Sequence, residues 1–179
     1  TLTNANNCSK TKTITVTASG IATIENIDIN DFQENNTATI EISSTSLGDY
    51  EYSLDGVNYQ DSNVFTNLNA GEYTVYVQDK KGCGIVFERF NILDFPKYFT
   101  PNGDGYNDTW FIKNLDKRNL ENSVITVFDR YGKLLKQISG VSEGWNGTFN
   151  GNLLPGSDYW FEIKLTNGKS VKGHFTLKR

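Results

Sequence analysis

The stretch Tyr159-Trp160-Phe161-Glu162-Ile163-Lys164-Leu165-Thr166-Asn167-Gly168-Lys169-Ser170-Val171-Lys172-Gly173-His174-Phe175-Thr176-Leu177 decides the fold class. Side chains of an extended chain point alternately to opposite faces. Trp160, Glu162 and Lys164 therefore share one side, and Phe161, Ile163 and Leu165 the other. Asn167-Gly168 breaks the run with a pair that accepts the positive φ of a primed turn. The segment predicts an antiparallel hairpin with strands over 159–166 and 170–177. Upstream, 108–113, 124–128 and 133–137 read as further strands, with Tyr131-Gly132 as the turn of a second hairpin. Trp110, Trp145 and Trp160 all lie in this half, and large aromatics are expected to fill a small core efficiently.

The first half has the same cadence. Strands are predicted over 21–29, 37–43, 50–54, 64–65 and 72–78, punctuated by Gly48-Asp49, Asp55-Gly56 and Ala70-Gly71. Tyr73, Val75 and Val77 fall on one face, the expected core side. Asp55-Gly56 is expected to close a hairpin in which Tyr52 and Leu54 pack inward while Ser53 faces water. A polar–apolar alternation from Thr13 to Thr17 reads as a half-exposed strand, and a Cys followed by a strand recurs at 81–87. This weak repeat makes residues 1–20 the expected last strand of an upstream repeat, or a linker. The fold class expected is all-β: two antiparallel β-sandwich domains in tandem.

Composition narrows the function classes. Methionine is absent, and Ala and Leu are too sparse to build long helices. No apolar stretch approaches the ~20 residues of a membrane-spanning helix. The chain opens on Thr1-Leu2-Thr3-Asn4 without a signal-peptide pattern and reads as a piece of a longer protein. Residues up to Asp94 hold 5 Lys and Arg against 13 Asp and Glu, and those from Phe95 hold 12 against 8. The balance swings from −8 to +4 at one point, a boundary signal. A charge of +4 spread along strands does not point to nucleic acid. Cys8 and Cys83 have no companion Cys or His at zinc spacing and are expected to be free, buried thiols.

Candidate chemistry is confined to a few places. Phe99-Thr100-Pro101-Asn102-Gly103-Asp104-Gly105-Tyr106-Asn107-Asp108 concentrates oxygen-bearing side chains between glycines. Two readings stand. In one, Asn102, Asp104 and the carbonyl near Tyr106 supply calcium ligands at i, i+2 and i+4, with Asn107 or Asp108 completing the shell. In the other, Gly supplies positive φ and the Asn and Asp side chains bond their own backbone as tight turns. Lys113 stands where an EF-hand would need Glu, so that motif is excluded. His174 is the lone histidine and has no catalytic companion. Asp158 and Glu162 lie ~13 Å apart if extended, too far for a glycosidase pair. No nucleophile elbow, zincin motif or phosphate loop is present, so no enzyme is expected. Asn146-Gly147-Thr148 fits the glycosylation pattern but reads as a turn beside Trp145.

Two resemblances follow from these residues. Tyr50-Glu51-Tyr52-Ser53-Leu54-Asp55-Gly56, Ala70-Gly71-Glu72-Tyr73-Thr74-Val75 and Gly82-Cys83 resemble the immunoglobulin-like repeats of large, SprB-like bacterial surface adhesins, over about residues 22 to 92. The second resemblance begins with the 99–108 string and continues through Val127-Phe128-Asp129-Arg130-Tyr131-Gly132-Lys133 and Trp145-Asn146-Gly147-Thr148. It ends with Leu154-Pro155, Asp158-Tyr159-Trp160 and Lys172-Gly173-His174-Phe175-Thr176-Leu177-Lys178-Arg179. In order, these resemble the gliding-motility-associated carboxy-terminal domain, the type B sorting domain of the type IX secretion system of Bacteroidota. Asn146 stands where that family often has Asp. The implied organisation is an adhesin repeat over 21–94 and a sorting domain over 95–179. The implied function is a secretion signal that sends a cell-surface adhesin through the outer membrane. Its implied partners are the type IX translocon and a PorP/SprF-type outer-membrane protein. The alternative is a carbohydrate- or protein-binding β-sandwich module. The resemblance does not name contact residues. A terminal strand with a free edge suits docking, so Lys172, His174, Phe175, Leu177, Lys178 and Arg179 are the expected partner-binding residues.

Overall fold

The computed structural model describes residues 2–3, 9–13, 18–140 and 142–179. The protein is all-β, its strands paired antiparallel apart from one short parallel pair; its one helical element among the described residues is a 3-10 turn at Asp116–Arg118. Near the start, β1 (Leu2–Thr3) pairs with β2 (Ser9–Lys10). Cys8 and most of the strand expected at 13–17 lie outside the described residues.

Two three-stranded sheets build the first half. One holds β3 (Ile24–Asn30), β4 (Asn36–Ile42) and β6 (Val64–Leu68); the other holds β5 (Tyr50–Ser53), β7 (Gly71–Asp79) and β8 (Ile85–Ile92). Their inward residues, among them Ala38, Ile40, Val75, Val77 and Ile92, meet in one apolar core. Tyr73, Val75 and Val77 face it together, as their alternation required. Ser53 corrects the expectation that it faces water. It is fully buried; its hydroxyl donates to Asp55 Oδ1 (2.8 Å) and accepts from the backbone N–H groups of Asp55 and Gly56. A buried hydroxyl costs little when its bonds are complete, and here it ties the turn to the strand. Cys83 is also corrected: its thiol is free and exposed, because it sits in the turn after β7.

The second half is one five-stranded sheet in the order β11-β10-β14-β15-β9. These strands are β9 (Tyr98–Phe99), β10 (Val124–Phe128), β11 (Leu134–Ser139), β14 (Ser157–Lys164) and β15 (Ser170–Leu177). A small hairpin of β12 (Thr148–Phe149) and β13 (Asn152–Leu153) accompanies it. Both expected turns are present: Gly132 (φ 78°) joins β10 to β11, and Gly168 (φ 90°) joins β14 to β15. Phe161, Ile163 and Leu165 enter the core, while Trp160 stays on the opposite side at 42% exposure. Trp160 thus lies where the alternation put it, and of the three tryptophans only Trp110 and Trp145 fill the core.

Trp110 and Trp145 sit at the centre of that core. Trp110 stacks on Phe175 with centroids 3.9 Å apart, and Trp145 meets Tyr159 edge-on at 5.2 Å. Both indole N–H groups are satisfied, by the carbonyls of Pro96 and Thr148 respectively, each at 2.9 Å. The strand expected at 108–113 does not form. Trp110 and Ile112 are buried while Phe111 and Lys113 are exposed, but the segment makes only isolated bridges, Trp110 to Trp145 and Asp94 to Lys113. Gly144 (φ 88°) permits the tryptophan bridge, because a Cβ there would lie 2.7 Å from the Trp110 carbonyl oxygen. Gly144→Ala is expected to cost ~2 kcal/mol or more through strain and this clash, read as a lower urea midpoint followed by tryptophan emission.

Candidate functional site

The 102–108 loop is a closed system of side chain-to-backbone bonds. Asp108 takes the N–H of Gly103 on Oδ1 (2.7 Å) and that of Gly105 on Oδ2 (2.8 Å). Asp104 takes the N–H of Tyr106 on Oδ1 (2.8 Å) and the Asn102 amide on Oδ2 (2.7 Å). Asn102 Oδ1 accepts from the Asp104 N–H (3.2 Å), and the Asn107 carbonyl accepts from the Thr100 N–H (2.8 Å). Every carboxylate oxygen of the loop thus already receives a donor, the pattern of linked Asx turns. Tyr106 projects into solvent. The Asn102 amide, then the Tyr106 N–H, hold the Asp104 carboxyl below the usual carboxylate range. Among the described residues, no three His, Cys, Asp or Glu side chains converge as a metal cluster.

The six residues expected on the terminal strand separate into two groups. Phe175 and Leu177 point inward and are buried in the aromatic core, so their side chains are closed to a partner; this corrects the expectation. Lys172 and His174 point outward. The edge of β15 is not free along its length either. Short β9 pairs with it in parallel at Thr176 and Leu177, and the Lys178 N–H donates to the Phe99 carbonyl (3.0 Å). Lys178 lies over the Tyr98 ring at 4.0 Å. Arg179 reaches back as a clasp, its Nε donating to the Leu154 carbonyl (2.7 Å) and its Nη2 to that of Gly147 (3.1 Å). Only the part from Ser170 to Phe175 lacks a ladder partner on its outer side among the described strands.

The outer face of the sheet carries a feature the sequence reading missed. Cross-strand register sets Leu134 opposite Phe128, Phe128 opposite Trp160, and Trp160 opposite His174. Four strands therefore contribute one row, with Leu134 and Trp160 well exposed and the Trp160 and His174 rings 6.4 Å apart. Beside it, Arg130, Glu162 and Lys172 help to line an open groove of about 580 Å³. The Glu162 carboxylate meets Lys172 Nζ at 3.6 Å and the Ser170 hydroxyl at 3.2 Å. Asp129 holds the β10–β11 turn, accepting the N–H groups of Tyr131 (2.8 Å) and Lys133 (2.9 Å). Alternation in 124–128 puts Phe128 in phase with Val124, which is local information; that it meets Trp160 depends on pairing across distant strands.

The sheet of the second half thus has one packed face and one solvent-facing row that includes Trp160 and His174. Residues 93–177 match the CHU_C type IX secretion signal domain family, and this part of the chain is a type IX secretion signal domain. Such a domain implies recognition by the secretion machinery and export across the outer membrane. No curated protein matches the chain. Among solved structures, PorZ, a surface component of the type IX secretion system of Porphyromonas gingivalis, is similar at 17% identity. The match covers 88% of this chain and 23% of that one, with a TM-score of 0.38. The lipoprotein Tp47 of Treponema pallidum is similar at 11% identity, over 93% of this chain and 53% of that one, with a TM-score of 0.33. The chain thus spans about half or less of these proteins. Among the described residues, no helix is long and apolar enough to cross a membrane.

Two measurements probe the loop. Asp104 has a depressed folded-state value, so its contribution is present above its unfolded pKa of about 3.9 and is lost as pH falls through the folded value. Thermal midpoints should therefore drop in acid less steeply for Asp104→Asn than for the unaltered chain. With its carboxylates already engaged, the turn reading expects millimolar calcium to leave the midpoint unmoved; a clear upward shift would establish the calcium reading.

Proposed function

We propose that residues 95–179 are a non-enzymatic export signal read by the type IX translocon together with a PorP/SprF-type outer-membrane protein. We further propose that residues 21–94 are an immunoglobulin-like repeat of a large, SprB-like adhesin delivered to the cell surface, with residues 1–20 the last strand of an upstream repeat or a linker. The match over 93–177 supports the export-signal part of this reading. The docking surface is the Leu134–Phe128–Trp160–His174 row with Lys172 and Arg130 beside it, continuous with the edge from Ser170 to Phe175 that no described strand pairs. An exposed aromatic flanked by cations is the composition of an interface centre. An unpaired strand edge adds backbone hydrogen bonds to a partner strand.

The test fuses the full chain to a periplasmic reporter in a gliding bacterium that has the secretion machinery and the cognate partner. The expected result is reporter at the surface; retention in the periplasm overturns the reading. Trp160→Ala combined with Lys172→Glu is expected to reduce export while leaving the thermal midpoint near that of the parent, since both side chains face solvent. Losing an aromatic anchor of this kind costs about 2 kcal/mol of docking energy. Exposed Trp160 beside Glu162 and Arg130 also favours a saccharide platform as a second reading. Specific glycan-array binding that disappears in Trp160→Ala would support it.

A further inference from the structure

Asp31 and Phe32 follow β3 in the first half, yet their side chains serve the second. Asp31 is 1% exposed and makes two ion pairs: Arg118 Nη1 donates to its Oδ2, and Lys169 Nζ lies 3.1 Å from its Oδ1. Arg118 belongs to the 3-10 turn and Lys169 to the β14–β15 turn, so one carboxylate gathers two separate elements of the signal domain. Phe32 is 8% exposed and belongs to the core that contains Trp110, Leu115, Leu165 and Phe175, not to the core of its own half. Its φ is +63°, and the other non-glycine residues with positive φ among those described are all asparagines. Asparagine tolerates that region, whereas a bulky aromatic does so only when its surroundings compel it. The loop is held from its own side as well. Asn36 Oδ1 accepts the Gln33 N–H (2.9 Å), and Asn36 Nδ2 donates to the Leu68 carbonyl (2.9 Å).

We infer that Asp31 and Phe32, which lie outside the matched 93–177 segment, are positioning residues of the export signal. They lock the signal domain onto the preceding module so that the two fold and are presented as one rigid unit. Buried charge explains why the contact is specific. A carboxylate taken out of water needs its partners, and here both partners come from the other half. Adjacent domains otherwise move relative to one another unless their contact is large and apolar. The ring of Phe32 supplies the apolar part, and its strained backbone is maintained by the packing it completes. The inference rests on the export reading for its functional half and on packing alone for its structural half.

Tryptophan emission reports the second half selectively, because Trp110, Trp145 and Trp160 all belong to it. In the full chain, thermal transitions followed by tryptophan emission and by far-ultraviolet circular dichroism should coincide. Phe32→Asn is the decisive variant: it relieves the backbone, so a purely local Phe32 predicts an unchanged or raised emission midpoint. The inference predicts a lowered one, and Asp31→Asn should lower it as well. With Asp31→Ala and Phe32→Asn combined, the two transitions should separate, and small-angle scattering at a temperature where both halves remain folded should show a wider distribution of separations. Surface delivery of the fused reporter should fall in that double variant. An emission midpoint that does not fall in Phe32→Asn overturns the inference. So does delivery of the double variant equal to that of the parent. If the unaltered chain itself is not exported, the export reading fails, while the melting and scattering results still decide the coupling.

Discussion

The backbone bridge between Trp110 and Trp145 is the constraint on which the second half depends. Each residue's N–H donates to the other's carbonyl at 2.9 Å, joining two irregular segments that share no ladder beyond that point. The bridge delivers two indoles to the inner face of the sheet, where Phe161, Phe175 and Tyr159 meet them. Fully burying such side chains is worth several kcal/mol by area, and aromatic pairing adds about 0.5–1.5 kcal/mol per pair. A module of this size has little other apolar surface to use. Gly144 and the two satisfied indole N–H groups are the conditions under which this pair can be buried without leaving a polar group or a clash behind.

Covering one face with loops rather than with a second full sheet leaves the other face bare. That asymmetry turns a stability solution into a surface. On the inner side the chain spends its aromatics on packing; on the outer side the same strands present Leu134, Trp160 and His174 in register to solvent. The terminal strand belongs to both sides at once. Phe175 and Leu177 anchor it, β9 and the Arg179 clasp close its end, and Lys172 and His174 remain outside. A strand fixed so firmly is preorganised, and a preorganised surface lowers the ordering cost of any contact made on it.

How far the sequence could be read follows from which information is local. The hairpins at Asn167-Gly168 and Tyr131-Gly132 were legible because turn chemistry and alternation sit within a few residues, and β10 and β15 fall where the pattern put them. The segment 108–113 shows the limit. Its alternation correctly separates buried Trp110 and Ile112 from exposed Phe111 and Lys113, but period 2 reports only that a segment is extended. Whether a ladder forms depends on a neighbour running alongside, and 142–147 touches it at one point. The same limit hid the outer row and the parallel pairing of β9, which both depend on contacts between distant strands. Ser53 failed for a different reason: a hydroxyl satisfied by the next turn can be buried at a position where alternation assigns water.

Charge shows the same division between local and distant information. The swing from an acidic to a basic half at Asp94 is a boundary signal in the sequence, and by itself a boundary is expected to be a hinge. An acidic residue of the first half is buried against two basic residues of the second, beside an aromatic ring that crosses in the same direction. Neither residue stands out in the sequence, since Asp31-Phe32 resembles any polar–apolar step between strands. Their meaning comes from where β3 ends relative to the β14–β15 turn. The match spans 93–177, while the core that its strands enclose includes the ring of Phe32, some sixty residues earlier in the chain.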